Sequence, residues 1–468
     1  MTYQLSNNIN KDKIFIVDWS SARERLDAQY YREHFDFTGY HRLSEYVFIN
    51  GGKRIPKGLN YSTDHDSPFL YLRVADLTDD CQIDYDNMKR IDESLYKILH
   101  RYDIHNGDIA LSIAGSIGKV LLLHNIPEKF NVILTENCAR ISVKSAEQLY
   151  PEYLSILLTL PIVQKQIMFN YIQTTIPKLS LERLGRIMIP SIPDKDKQQS
   201  IIDTYYSALL HKQCNYKKAQ RLLDSIDEHL LFELGVTIPE MASKLSDRIF
   251  FVNKKDISRR LNPGLYKNAI SLESNKYDNM PLSHLAYINP TTTFNKLNED
   301  TQISFIPMDA IDGEYFEIVG RQITTVNKAG GYTRFKEGDL LWAKITPCME
   351  NGKSAIAKEL VNGYGCGSTE YHIVRPKNGK LLVEFIHLLL HMDIVRKSAV
   401  FYFGGSAGQQ RVATDFLEKF NVPLPPRCKQ LEIVNHILDI KAQAKALKEE
   451  GEQILDEAKQ EIERQIMG

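Results

Sequence analysis

Nowhere does the 468-residue chain hold an apolar run close to the roughly 20 residues a bilayer-spanning helix needs. The best stretch, "LSILLTLPIV", is broken by Pro161, so no membrane partner is expected. The opening "MTYQLSNNINKDK" is polar and lacks the apolar core of a secretory signal. Cys81, Cys138, Cys214, Cys348, Cys366 and Cys428 form no CxxC pair and no Cys/His cluster. That scatter argues against a zinc site and a disulfide framework, and for a reducing, cytoplasmic setting. Excess charge is missing too: 58 basic and 59 acidic residues nearly cancel. Nucleic acid is thereby neither favoured nor excluded, because a basic patch can hide in a neutral total. With 43% hydrophobic and 25% charged residues, the composition is that of a folded globular protein. The length calls for about two to four domains.

The signatures of catalysis are equally scarce. "NGDIALSIAGSIGKV" (106–120) looks at first like a phosphate loop, but its glycine spacing is too short. Val120 stands where a Ser or Thr would hold magnesium, and the following "VLLL" reads as a strand, not a helix. "NPTT" and "NPGL" lack the second proline and the aromatic residue of an adenine-methyltransferase box. "FGGSAG" (403–408) follows a helical pattern, which favours a tight turn over a cofactor loop. His387 and His391 are an i, i+4 pair without a third ligand, which points to a helical surface or interface. Glu370 reads as an acceptor of backbone or base amino hydrogens.

What is present is a repeat. "KIFIVDWSSARERLDAQYY" from Lys13 aligns without gaps with "RIFFVNKKDISRRLNPGLY" from Arg248. Further on, Gly107-Asp108 matches Gly338-Asp339, Thr135-Glu136 matches Thr369-Glu370, and "QQSII" (198–202) matches "QLEIV" (430–434). The phosphate-loop candidate meets its echo in "EGDLLWAKITPCMENGKSAIA", which inserts Pro347–Glu350 between the shared strand and Gly352-Lys353. A phosphate cradle would not survive that insertion; a strand–turn–strand unit would. Runs such as "PFLYLRVADL" and "QISFIPMDAI" read as strands, and "PEYLSILLTLPIVQKQI" and "KLLVEFIHLLLHMDIVRK" as helices.

Each half then closes with a proline-rich exit, "IPSIPDKDKQ" or "VPLPPRCKQ", and a long heptad helix. In the first helix Ile202, Tyr205, Leu209, Tyr216, Leu223, Ile226 and Leu230 keep the three–four spacing, with Lys212 and Glu233 in the same seam. The second has Ile433, Ile437, Ile440 and Leu447, then a phase slip near Gly451. A helix of about 35 residues would reach roughly 50 Å. The expected division is a tail (1–12), a globular domain (13–198), a helix (199–235), a linker (236–247), a second domain (248–429) and a second helix (430–466).

With "FKEGDLLWAKITPCMENGKSAIA", "GCGSTEYHIVRP", "GGSAGQQRV" and "NGDIALSIAGSIGKV" in view, the chain resembles the specificity subunits of type I restriction–modification systems. The resemblance implies an α+β fold: two globular target-recognition domains in pseudo-twofold repeat, separated by two long antiparallel coiled-coil helices. It implies a non-catalytic subunit that reads a bipartite site in double-stranded DNA. The implied partners are two modification methyltransferase subunits and two ATP-driven restriction subunits. S-adenosylmethionine, ATP and magnesium are expected on those partners and none on this chain. The rival readings are a coiled-coil scaffold with degenerate domains and a nucleotide- or S-adenosylmethionine-dependent enzyme.

Candidate DNA contacts follow from residue type and position. Lys53, Arg54 and Lys57 sit in the glycine-rich "NGGKRIPKG", whose alternative reading is a solvated basic turn. Arg73 ends an apolar strand and could reach a groove or pair with a carboxylate. Ser116 and Lys119 occupy one hairpin tip, with Lys344, Thr346 and Lys353 at the equivalent tip of the other half. Lys178 and Arg411 align with each other, and Tyr332, Thr333 and Arg334 form a polar-aromatic loop.

Overall fold

The computed structural model describes residues 37–78, 83–170, 177–238, 272–295, 297–377, 379–405 and 409–467, with a few isolated positions besides. Most of the repeat's opening segments, 13–31 and 248–266, lie outside the described residues. The chain forms two compact units: Met1–Tyr216 with Lys448–Gly468, and Lys217–Leu447.

Unit one starts with β1 (Tyr40–Arg42), α1 (Leu43–Tyr46), β2 (Val47–Gly51), β3 (Phe69–Leu72), β4 (Lys89–Arg90) and α2 (Glu93–Leu99). Five strands follow: β5 (Asp103–Ile104), β6 (Ile109–Ser112), β7 (Val120–Leu122), β8 (Asn131–Leu134) and β9 (Cys138–Val143). Helices α3 (Pro151–Thr159), α4 (Pro161–Asn170) and α5 (Leu181–Gly185) lead into β10 (Met188–Pro190) and the long α6 (Lys195–Leu234).

Unit two repeats the order with β11 (Asn279–Pro281), α7 (Leu282–Leu285), β12 (Ala286–Ile288), β13 (Gln302–Ile306), β14 (Gln322–Thr325) and β15 (Thr333–Lys336). Next come β16 (Leu340–Ala343), β17 (Ser354–Ile356), β18 (Tyr364–Gly367), β19 (Tyr371–Pro376), α8 (Val383–His391) and α9 (Asp393–Val400). The short ladder of β20 (Phe403–Gly404) and β21 (Arg411–Val412) precedes α10 (Thr414–Lys419), β22 (Asn421–Pro423) and α11 (Arg427–Met467).

The sheets match strand for strand. One runs β2-β9-β6-β7 in unit one and β12-β19-β16-β17 in unit two, antiparallel throughout. The other runs β4-β3-β8-β5 and β14-β13-β18-β15, each with one central parallel pair. The near-continuous apolar runs of β6 and β16 have a simple cause: both faces are covered. Ile109 and Leu111 face a core shared with α3, whereas Ala110 faces the second sheet. Leu340 and Trp342 face α8 in the same way, with Leu341 on the opposite side.

The "NGDIALSIAGSIGKV" segment is a β6–β7 hairpin. Each Gly-Asp pair is the tight turn before its strand, Gly107 at φ +87° and Gly338 at φ +82°, a region glycine enters at little cost. The Asp108 and Asp339 carboxylates close these turns by accepting the His105 and Lys336 N–H groups at 2.9 and 2.8 Å. One anchor of the repeat shifts by a residue. Ile113 N–H donates to Asn137 O, and its counterpart Lys344 N–H donates to Glu370 O. The register therefore aligns Asn137, not Glu136, with Glu370.

The two stretches expected as single helices are each broken. Leu160 is extended (ψ 147°) ahead of Pro161, whose ring disfavours helix in the preceding residue. Met392 is extended (ψ 133°) between α8 and α9 without a proline.

Each unit also contains an antiparallel helix pair. In unit one Lys197 Nζ reaches Gln465 Oε1 and Lys212 Nζ reaches Glu452 Oε2, both at 2.7 Å. Ile202, Tyr205 and Leu209 share its core with Leu455 and Ile462, and half-buried Tyr216 donates its hydroxyl to Glu452. Gly451 marks a close approach, since a Cβ there would lie 3.2 Å from the Lys212 Cα. In unit two Ile226 and Leu230 pack with Ile433, Ile437 and Ile440, with Leu223 against their edge. Leu447 is only partly buried. Glu233, the second charge in the seam, is paired with Lys429 at 2.7 Å.

Candidate nucleic-acid interface

In unit two, β15, the end of β16, the segment after β12 and the start of α10 border an open cleft of about 390 Å³. It brings Tyr332, Thr333 and Arg334 together with Lys344, as well as Asn289 and Thr414, which sequence reasoning missed. Tyr332 is 45% exposed, its ring set edge-on to Phe305 at 5.0 Å. The Arg334 guanidinium lies over the Phe294 ring at 4.9 Å, a cation–π contact. Lys344 is anchored by its backbone, donating to Glu370 O at 2.9 Å and accepting from Val412 N–H at 2.8 Å.

His372 is a buried wall of this cleft. Its Nε2–H donates to Val412 O at 2.9 Å, and Nδ1 accepts from Asn289 Nδ2 at 3.0 Å. Burial pushes its pKa down to about 4, so the ring is neutral near pH 7. Asn289 adopts φ +49° and accepts the Ile373 N–H at 3.0 Å. The signal that could have flagged it was "NP", an Asn-Pro step that starts turns.

Several expected contacts have partners inside the protein. Arg411 donates Nε and Nη2 to the two Glu370 oxygens at 2.8 and 2.7 Å. Glu370 thus accepts from a guanidinium, in place of the backbone or base hydrogens expected, and Arg411 holds its pKa below the usual carboxylate range. Arg73 forms a bidentate pair with Asp76 at 3.0 and 2.7 Å, the carboxylate partner that one of its two sequence readings expected. Lys119 Nζ donates to Leu77 O at 3.3 Å, and Lys353 Nζ to Met308 O at 3.0 Å. Both tie a hairpin to the one-turn helix that follows β3 or β13. The enzyme reading had placed Lys119 in a phosphate loop, and here its amine serves the fold.

The remaining candidates lie at the surface. Arg54 is 83% exposed and 3.3 Å from Glu136, and Lys53 and Lys57 are exposed on the same loop. The Lys53 backbone is fixed by Leu134 O and the Tyr71 hydroxyl. Ser116 is exposed at the β6–β7 tip, where its carbonyl accepts the Ser112 hydroxyl. Exposed Lys178 bridges to Ala114 as Arg411 bridges to Ile345, so those two positions are equivalent in structure. The Thr346 hydroxyl donates to the Glu350 carboxylate.

Of the two settings expected for His387, surface or interface, the structure shows the interface. The residue is 4% exposed, with Nε2 2.9 Å from the Ser354 hydroxyl, and burial lowers its pKa to about 3. The pair faces inward because α8 packs on β17 and on Phe316, whose ring lies 3.4 Å from that of His391. Among the described residues no group of three or more His, Cys, Asp or Glu could hold a metal ion, and no helix is long and apolar enough to cross a membrane.

The family described as "Type I restriction modification DNA specificity domain" matches the chain twice, over 41–215 and 275–456, which is more than half its length. The chain is 37% identical over 154 residues to the EcoEI specificity subunit of Escherichia coli, and 36% identical over 187 residues to the EcoAI specificity subunit. These stretches cover 33% and 39% of this chain, and only 26% and 31% of those relatives. Similar solved structures include the S subunit of a type I restriction–modification system from M. genitalium (TM-score 0.38, 13% identity, 90% of this chain and 95% of that one). Another is the HsdS subunit from Thermoanaerobacter tengcongensis (TM-score 0.34, 16% identity, 91% and 95%). With the domain matched once in each half, the chain belongs to the type I restriction–modification DNA specificity family.

Proposed function

We propose that this chain is the DNA-reading subunit of a type I restriction–modification complex and that it performs no chemistry itself. Each unit reads one half of a bipartite site in double-stranded DNA. The observation that carries this reading is a frame built twice in the same register whose surface side chains differ. Shared framework residues such as Asp108 and Asp339 sit in the turns, while the exposed loops diverge in length and charge. Such a pair presents two different readers on one scaffold, which a split, asymmetric site requires.

The paired helices serve as spacer and as the surface on which two methyltransferase and two restriction subunits assemble. Leu431 and Leu438 support a docking role: seven residues apart on one face of α11, they are 51% and 53% exposed. S-adenosylmethionine, ATP and magnesium are assigned to those partners.

Co-expression with the methyltransferase partner, followed by mapping of methylated bases, tests the reading. A split, two-part motif is expected, and exchange of residues 248–429 for another such domain should change one half of it. A scaffold that binds protein alone would yield neither result.

A further inference from the structure

The cleft of unit two and its counterpart in unit one differ in charge at two positions that strand register makes equivalent. Arg334 on β15 and Asp103 on β5 each precede the shared Gly-Asp turn by four residues, and each strand pairs antiparallel with the equivalent neighbour, β18 or β8. Lys344 and Ile113 each follow the last residue of β16 or β6, and each N–H donates across to the segment before β19 or β9. Where unit two carries two cations, unit one carries a carboxylate and an isoleucine only 5% exposed. The Asp103 carboxylate is itself engaged, accepting the Tyr96 hydroxyl at 2.8 Å.

In unit two neither Lys344 nor Arg334 forms an ion pair among the described residues and no Asp or Glu lines the cleft, although the Glu370 carboxylate acts on Lys344 from nearby. The neighbouring acid, Glu370, is occupied at both oxygens by Arg411. His372 adds no charge near pH 7. Two cations without an ion-pair partner on one concave wall, with the Tyr332 and Thr333 hydroxyls beside them, make a site that a full negative charge satisfies more fully than a neutral base edge.

We infer that this cleft seats one phosphodiester of a DNA strand, held by Lys344 and Arg334, and that unit one has no such seat at the equivalent place. The inference rests on the DNA-reading function proposed above. Phosphate contacts fix position and carry no sequence information, so these two side chains set affinity and placement and leave the motif unchanged.

The test uses the full-length chain and duplex DNA carrying its methylated motif, titrated over a range of salt. Lys344→Gln and Arg334→Gln are each expected to flatten the slope of log K against log salt by about 0.9, weakening matched and scrambled duplexes alike. Lys344→Arg keeps the slope, which separates lost charge from lost fold. Neutral methylphosphonates placed one at a time along the half-site should reveal a position where the wild type loses affinity and the double variant loses none. Unchanged slopes in variants that still bind DNA would overturn the phosphate seat and leave DNA reading intact. A changed methylated motif would overturn it too, making these residues base readers. A wild-type chain that binds no DNA, alone or with its methyltransferase, overturns both readings.

Discussion

Gln198 and Gln430 hold the same post in their respective units. Each is fully buried in the first turn of its long helix. Gln198 accepts the Tyr150 N–H at 2.9 Å and donates to Gln148 O and Pro193 O, both at 2.8 Å. Gln430 accepts the Leu382 N–H and donates to Lys380 O and Pro425 O, all at 2.9 Å. One buried carboxamide thus satisfies three main-chain groups, most of them part-buried, where the proline exit turns into the helix. Gln198→Ala or Gln430→Ala should cost on the order of 3 kcal/mol, because those groups lose their partner without gaining water. Denaturant unfolding followed by hydrogen exchange would show the loss confined to the unit that carries the change. A cost below about 1 kcal/mol would refute this role.

Asp339 and Asp108 close equivalent turns with unequal partners. Asp339 is fully buried against Arg375, two N–H···O bonds of 2.7 Å each, while Asp108 accepts the Ser142 hydroxyl. Arg375→Met would strand a buried carboxylate and should destabilise unit two by roughly 3–5 kcal/mol. Ser142→Ala in unit one should cost only about 1 kcal/mol. Equal losses in the two variants, measured by unfolding, would contradict the assignment.

Lys119→Met and Lys353→Met should each lower stability by roughly 1 kcal/mol, through the lost bond to Leu77 O or Met308 O. The salt dependence of DNA binding should stay as it is in wild type. A slope flattened by about 0.9 in either variant would return these lysines to the DNA surface.

Leu431→Asp together with Leu438→Asp should abolish co-purification of the methyltransferase while leaving the circular-dichroism spectrum and melting temperature within a few degrees of wild type. Both side chains are more than half exposed, so the fold loses little packing. Retention of the partner by the folded variant would remove this face from the docking surface.

Acid should loosen unit two through its buried imidazoles. The folded pKa values of His372 and His387 lie below the ordinary 6.5, at about 4 and about 3, owing to burial. The folded state therefore binds fewer protons than the unfolded one between pH 6.5 and 4, and stability present above 6.5 is lost as pH falls through that window. Lys441, lowered to about 7 by burial, is charged in both states over most of this range and adds little slope. The loss should approach 1.4 kcal/mol per pH unit per histidine. His372→Gln should be less stable at pH 7 but lose less on acidification. A parallel pH profile in that variant would show that His372 does not contribute.

The frame was legible in the sequence because it is written in local patterns. The Gly-Asp turns, the apolar runs of β6 and β16 and the heptads of α6 and α11 all follow from spacings of a few residues. Arg73 and Asp76, three apart, could have been paired on sight. Lys119 and Leu77 are separated by 42 residues, and Arg411 and Glu370 by 41, so no window contains both partners. The sequence leaves His387 open between helical surface and interface because nothing in "EFIHLLLH" tells which face β17 and Phe316 will cover. The charge differences at Arg334 and Lys344 lie in the pairing of strands, which the sequence offset alone does not give.

Unit one is assembled from two stretches of chain made at opposite times. Its core takes Leu455 and Ile462 beside Tyr205 and Leu209, and the Ile162 N–H donates to Glu463 Oε1 at 2.6 Å. On the ribosome, completion of this core therefore waits for residues 448–467, synthesised after every residue of unit two. Until then the α6 residues that pack on the sheets and helices of residues 43–189 have that cover alone, and the side awaiting Leu455 and Ile462 stays open. Loss of that late segment would damage the older half of the protein and spare the younger.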